Sequence, residues 1–228
     1  MSLRQRVALC VYALAAIANV IATAVHGNLL DHVSKPWLMP MLALVVWFAA
    51  PPPASRALII AGLLSATAGD VALMGSSTPA FLIGMVFFLG CHGCYIAAFA
   101  RNGAVARLRA NRRAAYAYGL VLVVALAVLW VPLGGLAAPI AVYALALFTM
   151  ATLASTFGPR IGVGGGLFLV SDMLIAVGIG GAGFAGREIL VMITYVIGQL
   201  LIVTSWVSRP NTGENLEIPA TRIAYSRN

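Results

Sequence analysis

AGLLSATAGDVALMG, residues 61–75, is apolar, small or hydroxyl-bearing throughout except for one carboxylate, Asp70. GGGLFLVSDMLIAVGIG, residues 164–180, frames Asp172 in the same way. A carboxylate at the centre of a lipid bilayer costs about 2.5–3.5 kcal/mol on insertion scales. The other four acids (Asp31, Glu188, Glu214, Glu217) fall in expected loops or at helix ends. An acid inside a membrane span marks a functional site unless a structural polar contact accounts for it. Two of them, on separate helices, point to a pair.

The rest of the chain has the composition that such stretches imply. Of 228 residues, 62% are hydrophobic and 9% charged, whereas soluble domains carry about a quarter charged residues. An ordinary soluble domain is excluded, and the length leaves no room for a separate soluble catalytic module. Apolar segments long enough to span or nearly span a bilayer recur at 7–25, 36–51, 56–75, 79–100, 114–131, 137–156, 162–181 and 187–207. The second is short. The expected fold is all-α, a polytopic bundle of eight transmembrane helices forming one domain over 1–207. A short polar tail follows at 208–228. The first segment lacks the polar end of a cleaved signal peptide and reads as a retained helix.

Charge placement orients this bundle. With the N-terminus in the cytoplasm, twelve of the fourteen basic residues fall inside, among them Arg4, Arg6, Arg56, the five arginines of 101–113, Arg160 and Arg209. Only Lys35 and Arg187 fall outside. This is the bias the positive-inside rule requires, and it places both termini in the cytoplasm. The expected location is a cell membrane, the inner one in a bacterium. The same clustering in alternate loops explains the net charge of +8 without nucleic acid as a partner. No internal repeat of the kind found in inverted-repeat transporters is visible. The cysteines (Cys10, Cys91, Cys94) all lie in apolar segments and form no disulfide framework. Cys91-His92-Gly93-Cys94 has the look of a metal motif, but on a helix His92 points about 100° away from Cys91. No second Cys/His cluster exists to complete a site, so no metal or other cofactor is expected.

Rise per residue then gives depths. Asp70 lies about 7 Å below the outer edge, Asp172 about 14 Å and His92 about 18 Å, with Tyr95 deeper. Asn19, Tyr195 and Gln199 fall in the same outer half. His92 and Tyr95 are spaced i,i+3, and Tyr195 and Gln199 i,i+4, so each pair shares a helix face. Either these groups line one polar cavity with the acids, or they are hydrogen bonds between packed helices. Lys35, at the outer mouth of the second segment, either meets an anionic head group or snorkels to the interface. Gly164, Gly165 and Gly166, below Ser171-Asp172, suit close helix approach.

The run Lys35-Pro36-Trp37-Leu38-Met39-Pro40, then Gly69-Asp70, then Phe88-Leu89-Gly90-Cys91-His92-Gly93-Cys94-Tyr95-Ile96, Ser171-Asp172 and Tyr195…Gln199 resembles the YhhN family. The animal relatives of that family are the transmembrane protein 86 lysoplasmalogenases. The likeness covers about 30–207; the cysteines flanking His92 are a departure from it. It implies a membrane hydrolase that cleaves the vinyl ether bond of a lysophospholipid, releasing a fatty aldehyde and a glycerophospho-alcohol. Asp70 and Asp172 would be the acid/base pair, with Lys35, Asn19, His92, Tyr95, Ser171, Tyr195 and Gln199 binding or supporting. The partners are then the lysophospholipid substrate and membrane lipid. Acid cleavage suits two carboxyls, because burial and a like-charged neighbour both favour the protonated form of a carboxyl. Glycosidases divide labour between two carboxyls around a related cation. The alternative is a proton-coupled transporter using the two aspartates as a relay.

Overall fold

The computed structural model describes residues 1–209 apart from His26, Pro51, Pro52 and Ala54. Nearly all of the expected tail, 208–228, and Pro51 and Pro52, where the second expected segment ends, therefore lie outside the described residues. Among the described residues there are helices and connections and no strand. Eight helices are long: α1 (Leu3–Ala24), α2 (Asn28–Trp47), α3 (Arg56–Ala72), α4 (Thr78–Arg101), α6 (Arg113–Leu133), α7 (Ala137–Ser155), α8 (Pro159–Ile179) and α9 (Arg187–Val207). A seven-residue helix, α5 (Ala104–Ala110), occupies the arginine-rich stretch expected to be a loop.

Six stretches are both long and apolar enough to cross a membrane. They are α1, Leu29–Trp47 of α2, α4, α8, α9 and one 43-residue stretch, Arg113–Ser155, that takes in α6, a 3-10 turn and α7. At 17 residues α3 is shorter than these. Large apolar side chains face outward along much of the bundle, including Leu14, Ile17 and Ile21 of α1 and Val121, Val123, Val124 and Val128 of α6. A soluble protein would bury such faces; in hydrocarbon they need no cover.

The order of packing creates an interior. Successive neighbours α1–α2–α3–α4 continue through α7, α8 and α9, and α9 returns to pack on α1 and α2. Seven helices thus close a ring. Helix α6 stays outside it, against α7 and α8, and Leu133 is its one buried residue. Two glycines set the closest approach. A Cβ on Gly164 would lie 2.8 Å from the Gly198 carbonyl, and one on Gly198 would lie 2.9 Å from the Gly164 carbonyl, so α8 and α9 touch backbone to backbone. Gly165 admits Ala154 of α7 in the same manner, whereas Gly166 meets nothing closer than 3.6 Å.

The ends of the bundle differ. At one end arginines stack over aromatic rings: Arg4 on Phe48, Arg56 on Trp47, and Arg107 and Arg209 on Phe157. Such contacts suit a head-group layer. At the other end α1, α3 and α8 finish and α2, α4 and α9 begin. There the second segment departs from expectation, since α2 starts at Asn28 rather than at Pro36. Both Pro36 and Pro40 lie inside it. Packing against α1 and α3, which completely buries Leu38, Met39, Leu42, Val45 and Val46, outweighs the loss of two backbone donors, as it does in other membrane helices. The consequence is functional: Asp31 and Lys35 become successive turns of one helix face, not loop residues.

Candidate active site

Asp70, near the end of α3, is 3% exposed and accepts a 2.8 Å hydrogen bond from the Tyr195 hydroxyl of α9. Gly69 makes room for this arrangement. A Cβ there would sit 2.7 Å from the Phe88 ring of α4. Phe88 and Phe168 of α8 both pack against the Tyr195 ring, at centroid distances of 5.9 and 5.5 Å. The first carboxylate is therefore enclosed in an aromatic wall.

Asp172 has different surroundings. Its Oδ2 accepts a 2.5 Å hydrogen bond from the hydroxyl of Tyr143 on α7, and His92 Nε2 of α4 lies 3.0 Å from that hydroxyl and 3.5 Å from Oδ2. The phenol has one proton, which goes to Asp172. The His92 contact is then completed by Nε2–H donating to the phenol oxygen. That tautomer leaves Nδ1 unprotonated, and Nδ1 is buried with no hydrogen-bond partner among the described residues. His92 is fully buried and Asp172 keeps 9% of its side chain exposed.

The exposed part of Asp172 faces a slot. A narrow cavity of about 50 Å³ is lined by Leu73, Phe81, Met85, Phe88, Ile140, Ile175, Ala176 and Ile179, with Tyr143 and Asp172 as its polar members. On α8 the spacing Asp172, Ile175, Ala176, Ile179 is one helix face; on α4, Phe81, Met85 and Phe88 lead toward His92 in the same way. The slot so runs along two helix faces from the Lys35 end of the bundle to the Asp172–Tyr143–His92 cluster. The slot therefore presents the Asp172 carboxyl, beside the Tyr143 phenol, as its polar end to any apolar group that enters it.

The other residues singled out in the sequence do separate jobs. Tyr95 donates to Gln199 Oε1 at 2.7 Å, joining α4 to α9. Asn19 donates to Asp31 Oδ1 at 2.8 Å and to Ser34 Oγ at 3.1 Å, joining α1 to α2. Ser171 donates to the Val191 carbonyl at 3.0 Å, joining α8 to α9. Lys35 lines a second cavity, toward the helix ends. The structure thus brings His92 to Asp172 and Tyr195 to Asp70, and it sets Asn19, Tyr95, Ser171 and Gln199 in contacts that do not include either acid. Two tyrosines were missed. Tyr143 is the one aromatic hydroxyl of α7, whose other polar side chains are Thr149, Thr152 and Ser155, a signal of the same kind as the aspartates though weaker. Tyr12, 2% exposed, donates to the Val196 carbonyl at 2.6 Å and helps close the ring between α1 and α9.

The profile of the YhhN family matches residues 30–206. The match spans most of the chain and every residue of both acid clusters, and the chain belongs to this family. No curated protein and no solved structure gives a match.

Proposed function

We propose that this member of the YhhN family is a membrane hydrolase that cleaves the vinyl ether bond of lysoplasmalogens, with all eight long helices crossing the bilayer and both termini in the cytoplasm. The observation that carries the reading is the slot of apolar side chains that ends on the hydrogen-bonded carboxyl of Asp172.

In this mechanism Oδ2 of Asp172 is engaged by Tyr143, so the carboxylic proton resides on the other oxygen. Asp172 gives that proton to the β-carbon of the vinyl ether, and the double-bond electrons form the new C–H bond. An oxocarbenium cation results at the carbon attached to oxygen, next to the carboxylate just formed. Water adds to that carbon and returns a proton to Asp172. The hemiacetal then collapses to a fatty aldehyde and the free sn-1 hydroxyl of a glycerophospho-alcohol. One water is consumed, and Asp172 ends in the form in which it began. Tyr143 and His92 hold the carboxyl in place throughout. Asp70 is the second carboxyl of the reading, set behind Phe88 with Tyr195; its role is to position that wall.

The test is aldehyde release from lysoplasmenylcholine and lysoplasmenylethanolamine by the purified protein in detergent, wild type against Asp172→Asn. Release that depends on Asp172 supports the reading. No release by the wild type, or undiminished release by Asp172→Asn, overturns it.

A further inference from the structure

Beyond the slot lies a larger cavity, about 360 Å³, whose wall includes Lys35 and Asp31 of α2 and Arg187 and Glu188 of α9. It shares Leu73 and Ile175 with the slot, so the two cavities adjoin between the helix ends and Asp172. We propose that this vestibule recognises a zwitterionic phospho-head group, with Lys35 and Arg187 receiving the phosphate and Asp31 and Glu188 facing the amine.

Arg187 is fixed for such a task. Its guanidinium lies flat on Gly178, where even a Cβ would come within 2.3 Å. It donates to the Leu174 carbonyl at 3.1 Å and to Glu188 at 2.6 Å. A guanidinium has five N–H donors, so donors remain for a phosphate. Lys35 makes no hydrogen bond or ion pair among the described residues, and it is half-buried at the cavity wall. Asp31 is held by Asn19, which gives the buried polar bridge between α1 and α2 a purpose. Two cations and two carboxylates balance, as a zwitterion requires; a bare anion would favour an excess of positive charge.

The spacing also fits. Leu174 and Gly178, which flank the Arg187 guanidinium, lie about 3 and 9 Å along the α8 axis from Asp172. A phosphate there leaves the glycerol unit to bridge to a vinyl ether at the carboxyl. The lipid identity rests on the hydrolase reading; the head-group preference is measured without catalysis.

Binding is measured for the full chain in nanodiscs with a saturated 1-O-alkyl lysophosphocholine, which has no vinyl bond to cleave. The comparison ligands are the matching 1-O-alkyl glycerol and the 1-O-alkyl lysophosphatidate, which lacks the amine. The wild type is expected to bind the phosphocholine lipid about tenfold more tightly than the alkyl glycerol. Lys35→Gln and Arg187→Gln each remove most of that preference and leave alkyl glycerol binding unchanged, whereas Lys35→Arg retains it. Asp31→Asn narrows the preference for phosphocholine over lysophosphatidate. Absence of any preference in the wild type, or a preference that survives Lys35→Gln, overturns the assignment. So does displacement of the lipid by millimolar inorganic phosphate, which marks a general anion site. A wild type that keeps the preference but releases no aldehyde supports the vestibule while removing the hydrolase reading. Aldehyde release without the preference removes the vestibule alone.

Discussion

Asp70 and Asp172 look alike in sequence and differ in the folded chain. Asp70 is closed off at 3% exposure, tied to Tyr195 and walled by Phe88 and Phe168. Asp172 opens on a slot and is tied to Tyr143, with His92 behind. Each acid has one tyrosine partner, yet only one of them can meet an apolar substrate without a side chain moving. The lesson is that the cost of burying a carboxylate singles out both residues but does not distinguish the one that touches the substrate from the one that shapes its surroundings.

The sharpest way to break this comparison is to neutralise each acid in turn. Asp172→Asn is expected to lower aldehyde release by about 10³-fold or more, because a general acid contributes about 10²–10⁴-fold. Asp70→Asn should retain measurable turnover, with a loss of about tenfold to a hundredfold. Steady-state rates that fall equally for the two variants would show that both carboxyls react directly.

The tyrosines extend the contrast at smaller size. Tyr143→Phe removes the donor to Asp172 and should reduce kcat by about tenfold, since a hydrogen bond to a charged group is worth about 1.5–3 kcal/mol. Tyr195→Phe acts one residue farther from the slot and should cost less in kcat than in thermal stability. Comparison of kcat with the melting temperature of both variants separates the two roles.

A structural arm tests the wall itself. Gly69→Ala drives a methyl into the Phe88 ring and is expected to destabilise the bundle by about 1–3 kcal/mol, the usual cost of overpacking. Gly164→Ala meets the Gly198 carbonyl, a backbone atom that cannot rotate away, and should cost at least as much. Gly166→Ala, with only Tyr118 near, should change unfolding in denaturant by no more than a few tenths of a kcal/mol. A destabilised Gly166→Ala protein would mean that α8 packs more tightly at that level than its neighbours indicate.

Much of this was legible beforehand, for reasons that lie in particular residues. The long apolar segments bounded by arginines, prolines and glycines correspond to the eight long helices, and α9 begins and ends where expected. The boundary of α2 was not legible. The apolar run was expected to begin at Pro36, after the more polar stretch that ends at Lys35; only the packing of α2 between its neighbours allows the helix to begin eight residues earlier. Gly164, Gly165 and Gly166 read alike, and the structure separates two that admit a neighbouring helix from one that does not. Tyr143 and Arg187 were not assigned roles, since nothing local to their helices says which carboxyl or carbonyl they meet.

The sequence by itself determined which stretches form apolar helices, the lopsided placement of the arginines and the two carboxylates that lipid would penalise. These depend on composition along one chain segment, through the energetics of removing side chains and backbone from water. Tertiary structure decided that seven helices close a ring with α6 outside, that Asp172 rather than Asp70 borders the slot, and that Lys35 and Arg187 share a wall. Those facts depend on which helix faces meet across the bundle, and small residues such as Gly69, Gly164 and Gly178 permit those meetings through space that no spacing along the chain records.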